Sequence, residues 1–306
     1  MGTQKRLFLA GGSGLLALNW ALLCHEKWNV FLGLHNRIIS PPFAFTVHLP
    51  QATTQGLINT LSEISPHLVV NTAAATNVEY CELHPEIALE VNVVFAEHLA
   101  SACNYLMIPL VHLSTDHLFD GFLPFATEDN ALHPLNVYAQ TKAEAESRVL
   151  NVCPNALVIR TNFYGWGTSY RYSSTDKIIQ KLQDGNVYTA FHDVYFTPIL
   201  ISDLVSAIHH LLELGAKGIF HVVGDQRLSK YDFCLLLANT FCLQQSLVQP
   251  ISIHDVPSLV PRPKDMSLCN LKATQWLNRS LGLVVEGLVR LRDQSAQGYP
   301  KVLQHL

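Results

Sequence analysis

Charge is what this chain is shortest of. Asp, Glu, Lys and Arg make up 14% of its 306 residues, against about a quarter in an ordinary soluble domain. There is no basic run, and the formal net charge is −4. Nucleic acid and anionic membrane surfaces are therefore not the expected partners. So little charge implies much buried or self-associated surface, and a homodimer is the expected assembly. The seven cysteines are an odd number with no Cys-x-x-Cys pair, which fits reduced thiols in a cytoplasmic protein better than a disulfide framework. Cys81-Glu82-Leu83-His84 has metal-like spacing, but no second pair accompanies it, so no metal is expected. His209 and His210 read as helix-surface imidazoles. Long hydrophobic runs are missing too. Lys5-Arg6 and the apolar residues up to Cys24 imitate a signal peptide or span. Gly11-Gly12-Ser13-Gly14 and Asn19 interrupt that stretch, and no other run is long enough to cross a bilayer. What is there is 49% hydrophobic, enough core for one large domain or two.

Residues 6–10 read as a buried strand. Gly11-Gly12-Ser13-Gly14-Leu15-Leu16-Ala17 follows, then a helix to about residue 26. Glycine permits a tight turn and close approach of a pyrophosphate to backbone N–H groups. In the spacing Gly11-x-x-Gly14-x-x-Ala17, a small third residue stands where helix packs on strand. Strand before and helix after supply the context of a dinucleotide-binding turn. The second strand, 29–34, ends at His35-Asn36-Arg37, with no carboxylate for a ribose 2′-hydroxyl. A guanidinium at Arg37 suits the 2′-phosphate instead, so NADP(H) is favoured and NAD(H) stays open. Further strands at 44–49, 67–72, 108–113 and 156–161 alternate with helices at 54–64, 86–105 and 136–150. This alternation predicts an α/β fold with a doubly wound, Rossmann-type parallel sheet. Ala73, Ala74 and Ala75 are small enough to let a cofactor lie against the backbone, and Asn92 is a polar residue on a largely apolar helix.

Ser114 and Thr115 stand at the carboxyl end of a buried strand, where ligands of open α/β sheets bind. On the helix that follows, Tyr138 and Lys142 are four apart and share a face. An ammonium beside a phenol is expected to lower its pKa, making Tyr138 a candidate proton donor to a carbonyl oxygen. After Gly165 the texture changes. Residues 166–175 are rich in Gly, Ser, Thr and Tyr, as in a loop over a pocket. Helices are expected at 177–183, 204–214, 230–241 and 282–294, a strand at 218–223, and an irregular stretch at 250–264 with its four prolines.

Taken together, segments 11–16, 71–75, 78–92, 114–121, 138–142, 160–165 and Arg262-Pro263 resemble the extended short-chain dehydrogenase/reductases, in particular the dTDP-4-dehydrorhamnose reductase-like group. The resemblance implies a nucleotide-sugar 4-ketoreductase of activated deoxysugar biosynthesis, with catalytic Thr115, Tyr138 and Lys142. It implies that Lys142 also bonds the nicotinamide ribose. Gly11, Ser13, Gly14, Leu15, Leu16, Ala73, Ala74 and Asn92 would contact the cofactor, beside Asn36 and Arg37. Asp116, His117, Asn162 and Arg262 would contact a nucleotide-diphosphate sugar, Arg262 near the diphosphate. Residues 1–163 and 198–222 would form the NAD(P)-binding domain, and 164–197 and 223–306 a smaller substrate lobe. Two departures stand out. His117 replaces the usual Tyr after Thr-Asp, and His48-Leu49-Pro50-Gln51 lacks the usual acidic residue near adenine.

Two other functions fit the same segments. A dehydratase or epimerase would share the fold, but dehydratases carry Asp-Glu after the Thr, to add an acid and a base, and here Asp116-His117 follows. A non-catalytic NADP-binding subunit, resembling the regulatory β subunit of methionine adenosyltransferase, would act through a partner.

Overall fold

The computed structural model describes residues 4–49 and 53–306. Pro50 and Gln51, read above as near adenine, lie outside the described residues. Seven parallel strands build the central sheet: β1 (Lys5–Ala10), β2 (Trp28–Leu34), β3 (Phe45–His48), β4 (Leu68–Asn71), β5 (Leu110–Leu113), β6 (Leu157–Arg160) and β7 (Gly218–His221). Their order is β7-β6-β5-β4-β1-β2-β3. The chain runs outward from β1 to β3, then returns to β4 on the other side of β1. That reversal opens a crevice at the carboxyl ends of β1 and β4.

The sheet is covered on both faces, which explains why β4, β5 and β6 read as continuous apolar runs rather than alternating ones. Successive residues of β1 feed opposite cores. Leu7 and Leu9 join Trp20, Leu204 and Ile208, while Phe8 and Ala10 join Leu57, Leu61, Leu99 and Val149. The central strands break this pattern only near their carboxyl ends, with buried Asn71, His112 and Arg160. Arg160 is matched by buried Glu146 on the helix Val137–Val152, whose carboxylate accepts from Nη2 at 2.7 Å.

Several expectations are revised. The helix expected at 86–105 contains a π turn, Glu90–Val94, between Pro85–Leu89 and Phe95–Tyr105. An i→i+5 turn holds one extra residue, and buried Asn92 lies in it. Short helices Val78–Leu83, Leu271–Leu277 and Tyr299–Gln304 were not foreseen. The stretch read as irregular overlaps the strand Val248–Ile251, paired in parallel with Tyr188–Phe191. His209 is not a free surface imidazole: its Nε2 accepts from the Trp20 indole N–H at 3.0 Å. The Lys5–Cys24 stretch forms β1, a turn and the helix Leu15–Cys24, and among the described residues no helix is long and apolar enough to cross a membrane.

Candidate active site

A cleft of about 820 Å³ lies over the carboxyl ends of the central strands. One wall is the glycine turn. Gly11 has φ 78°, and a Cβ there would sit 2.7 Å from the backbone N and Cα of Ala73. Only glycine allows both the left-handed backbone and that approach. Gly14 N–H donates to Gly11 O at 2.8 Å, and Gly14 caps the helix Leu15–Cys24 without any side-chain hydrogen bond. The first-turn N–H groups therefore keep their donor capacity and the positive end of the helix dipole. Gly14, Leu15 and Leu16 line the cleft. A pyrophosphate fits such a cradle, so the residues present suit a dinucleotide.

The turn after β4 forms the next wall. Ala74 lines the cleft, whereas Ala73 lies behind it, under the glycine turn. Asn92 is 1% exposed. Its Oδ1 accepts from Ala75 N–H at 2.8 Å, and its Nδ2 donates to Ala75 O at 3.2 Å and Thr141 Oγ1 at 2.9 Å. With its amide spent in this way, Asn92 braces the turn from behind instead of lining the cleft. The Cys81 thiol donates to the same Ala75 carbonyl at 3.4 Å, and no group of three or more metal-ligating side chains occurs among the described residues.

Thr115, Tyr138 and Lys142 line one end of the cleft. Asn136 positions the helix that carries two of them. Its side chain caps Ala139 N–H at 2.9 Å and donates to Pro261 O at 2.8 Å, which ties the helix start to the Arg262 segment. The Tyr138 phenol is buried and lines the cleft together with Thr115. Its pKa is pushed up to about 12, chiefly by burial, with the Thr115 hydroxyl opposing and Asp116 adding to the rise. Lys142 does not hold it down. Its amino group donates to Leu113 O at 2.6 Å and faces His112 Nε2 at 3.5 Å. Burial brings Lys142 itself down to about 8, against the pull of Glu146. The expected lowering of the phenol is thus overturned, because desolvation outweighs a charge directed elsewhere.

The substrate residues expected from the sequence are partly engaged with one another. Asp116 is 2% exposed; its Oδ2 accepts from Asn162 Nδ2 at 2.6 Å, and its Oδ1 from the Thr115 hydroxyl at 3.3 Å. The His117 ring meets Tyr138 edge-on, with centroids 5.6 Å apart. Its Nδ1 and the Ser114 hydroxyl are buried without hydrogen-bond partners among the described residues. Burial lowers the His117 pKa, Asp116 opposes this, and Lys230 and Arg262 reinforce it. Arg262, expected near a diphosphate, lines the cleft and is ion-paired there with Glu79.

Sequence reasoning missed Lys230, Arg171 and His112. Lys230 opens the helix Lys230–Thr240, and its Nζ sits 3.3 Å from the centre of the Phe196 ring, in the cleft wall. Burial brings it to about 8, with Asp116 opposing. The sequence placed Lys230 only at the start of the helix expected at 230–241, where the structure shows a Ser229/Asp232 capping box, and a helix start is not a site. Arg171 Nη2 donates to Thr76 Oγ1 at 3.0 Å. Asn36 and Arg37 are exposed beyond the cleft lining. The Arg37 guanidinium stacks 4.1 Å from the Tyr170 ring centre, and the Tyr170 hydroxyl donates to Ser13 O at 3.0 Å. The loop expected over the pocket therefore reaches across to the glycine turn.

Residues 5–288 match the family described as RmlD substrate binding domain. The chain belongs to that family. A 30% identical relative, a probable low-salt glycan biosynthesis reductase, Agl14, of Haloferax volcanii, aligns over 87% of this chain and 90% of its own. Methionine adenosyltransferase 2 subunit beta of Xenopus laevis is also 30% identical, over 85% of this chain and 79% of its own. Among solved structures, a dTDP-4-dehydrorhamnose reductase from Bacillus anthracis in complex with NADP superposes with a TM-score of 0.84 at 21% identity, covering 95% of this chain and 100% of that one. The RmlD family member described here thus shares the Rossmann-type α/β fold of that reductase.

Proposed function

We propose that this protein is an NADPH-dependent reductase of a nucleotide-diphospho-4-keto-6-deoxyhexose. The observation that carries the reading is one cleft lined both by an uncapped helix N-terminus and by Thr115, Tyr138 and Lys142. The reductase among its relatives and the NADP in a structural neighbour support it. In this reading residues 1–163 and 198–222 hold the cofactor, and 164–197 and 223–306 form the sugar lobe. The protein works as a cytoplasmic homodimer.

Bound NADPH supplies the hydride to the C4 carbonyl. Gly14, Leu15 and Leu16 hold the pyrophosphate with backbone N–H groups. Arg37, stacked on Tyr170, reads the 2′-phosphate. Tyr138 gives its proton to the C4 oxygen as charge develops there. A phenol whose pKa is about 12 holds that proton at every physiological pH, as a donor must. Thr115 hydrogen-bonds the same oxygen, acting where transition-state charge appears. Lys142 bonds the nicotinamide ribose. Asn162 orients Asp116, and Arg262 exchanges Glu79 for the substrate diphosphate.

The test compares NADPH oxidation with the nucleotide-linked and the free 4-keto sugar, followed by assignment of the product at C4. The free sugar should be a very poor substrate, because the remote diphosphate orients the ring. Tyr138→Phe should abolish most turnover and Thr115→Ala less, with cofactor binding retained in both. Equal kcat/KM for the two sugars, or near wild-type turnover in Tyr138→Phe, would sink the assignment.

A second reading is a non-catalytic regulatory subunit. The 30% identity to methionine adenosyltransferase 2 subunit beta favours it. A stable complex with a partner enzyme, without NADPH oxidation across a nucleotide-sugar panel, would establish it instead.

A further inference from the structure

Behind the cleft, a buried chain of polar groups runs from the turn after β4 to Lys142. Asn71, His112 and Lys142 are each no more than 2% exposed. Ala73 N–H donates to Asn71 Oδ1 at 3.1 Å. A backbone N–H can only donate, so this bond decides which end of the amide is oxygen. Asn71 Nδ2 is then the atom 3.1 Å from His112 Nδ1. An amide NH2 can only donate as well, so His112 Nδ1 must accept and its ring proton must sit on Nε2. Nε2 lies 3.5 Å from Lys142 Nζ.

An ammonium has no lone pair, so an N–H turned towards it opposes it, whereas a neutral amine accepts that same N–H. We propose that Asn71 fixes His112 as the Nε2–H tautomer, and that His112 thereby disfavours the ammonium form of Lys142, which makes His112 a positioning residue for the Tyr-Lys pair. The remaining groups around Lys142 do not cancel the effect. Leu113 O accepts a hydrogen bond from Nζ, which the neutral amine can donate as well as the ammonium. Tyr138, one turn earlier, is neutral. Glu146, one turn later, favours the charge, but its carboxylate is shared with Arg160. His112 cannot escape by taking a second proton, because burial and Lys142 keep its pKa well below the ordinary value. The arrangement also joins the cofactor-side turn at Ala73 to Lys142 through two side chains.

The catalytic consequence rests on the reductase reading, but the tautomer and the lysine titration do not, so both are measured by NMR in the apoprotein. In 15N-labelled protein, His112 should show an unprotonated Nδ1 and a protonated Nε2. Observation of Nδ1–H would overturn the proposal. Lysine 13Cε titration, with Lys142 assigned by its loss in Lys142→Met, supplies the second readout. In Asn71→Asp the carboxylate still accepts from Ala73 and now must also accept from His112 Nδ1. The tautomer inverts, Nε2 offers a lone pair, and the Lys142 titration should rise by about one to two pH units, the scale of a hydrogen bond to a charged group. Adding His112→Phe isolates the effect of the new charge and should leave a much smaller rise. Equal rises with and without the imidazole would refute the relay. Should Asn71→Asp not fold, His112→Gln, whose amide oxygen can accept from Lys142, should raise the same titration, and an unmoved Lys142 would refute the relay. The alkaline limb of kcat/KM should move with the lysine. The NMR results decide the relay even where no turnover is found, a result that would count only against the reductase reading.

Discussion

Replacing Glu146 with Gln should cost this protein about 3 kcal/mol or more. Glu146 and Arg160 are both buried, and the carboxylate accepts from two nitrogens of the guanidinium, the single Nε–H shared between Oε1 at 3.0 Å and Oε2 at 3.1 Å, and Nη2 to Oε2 at 2.7 Å. Gln keeps the shape, removes the charge and turns an NH2 towards a group that only donates. Arg160 cannot shed its proton in response. Breaking a buried pair in this way costs about 3–5 kcal/mol. The lower end is expected here, because His221 Nε2 at 3.3 Å and the Phe119 ring at 5.6 Å still attend the guanidinium. Urea unfolding at pH 7 reads the loss as a lower midpoint with an unchanged slope. Replacing both partners, Glu146→Leu with Arg160→Met, should recover most of it, since no orphaned charge remains. A loss under about 1 kcal/mol, or a double variant as unstable as the two losses added, would refute the reasoning. Glu146 also favours the charged form of Lys142, so Glu146→Gln should lower the Lys142 titration further.

Arg37→Ala should weaken NADPH binding by about 1.5–3 kcal/mol, the scale of a hydrogen bond to a charged group, and leave NADH nearly unchanged; equal losses in calorimetry would mean that Arg37 only supports Tyr170 and the glycine turn. Lys230 stands near 8 when folded, against 10.5 as its ordinary value, so between those values the unfolded chain binds more protons and the lysine's contribution to stability rises with pH. Lys230→Met should therefore gain most on the wild type near pH 7 and lose that advantage as pH climbs from about 8 towards 10.5. A difference in unfolding free energy that stays flat across that window would show that the ammonium is not desolvated.

Local pattern was enough for the frame. A glycine turn between strand and helix, apolar runs alternating with helices, and a Tyr and Lys one turn apart are short-range facts, and the polypeptide realises each of them with neighbours close in sequence. The doubly wound sheet and the meeting of Thr115, Tyr138 and Lys142 in one cleft follow from them. What each polar side chain does once there was settled by groups far along the chain. Lys142 turns to Leu113 O, 29 residues away, and Arg262 to Glu79, 183 residues away. Lys230 reaches the cleft through the wall built with Phe196. Asn92, in the π turn, spends its amide on Ala75 and Thr141. The direction of the Tyr138 shift is the clearest case. The charge four residues away is visible in the sequence, but desolvation is a property of the assembled walls, and here it is the larger effect.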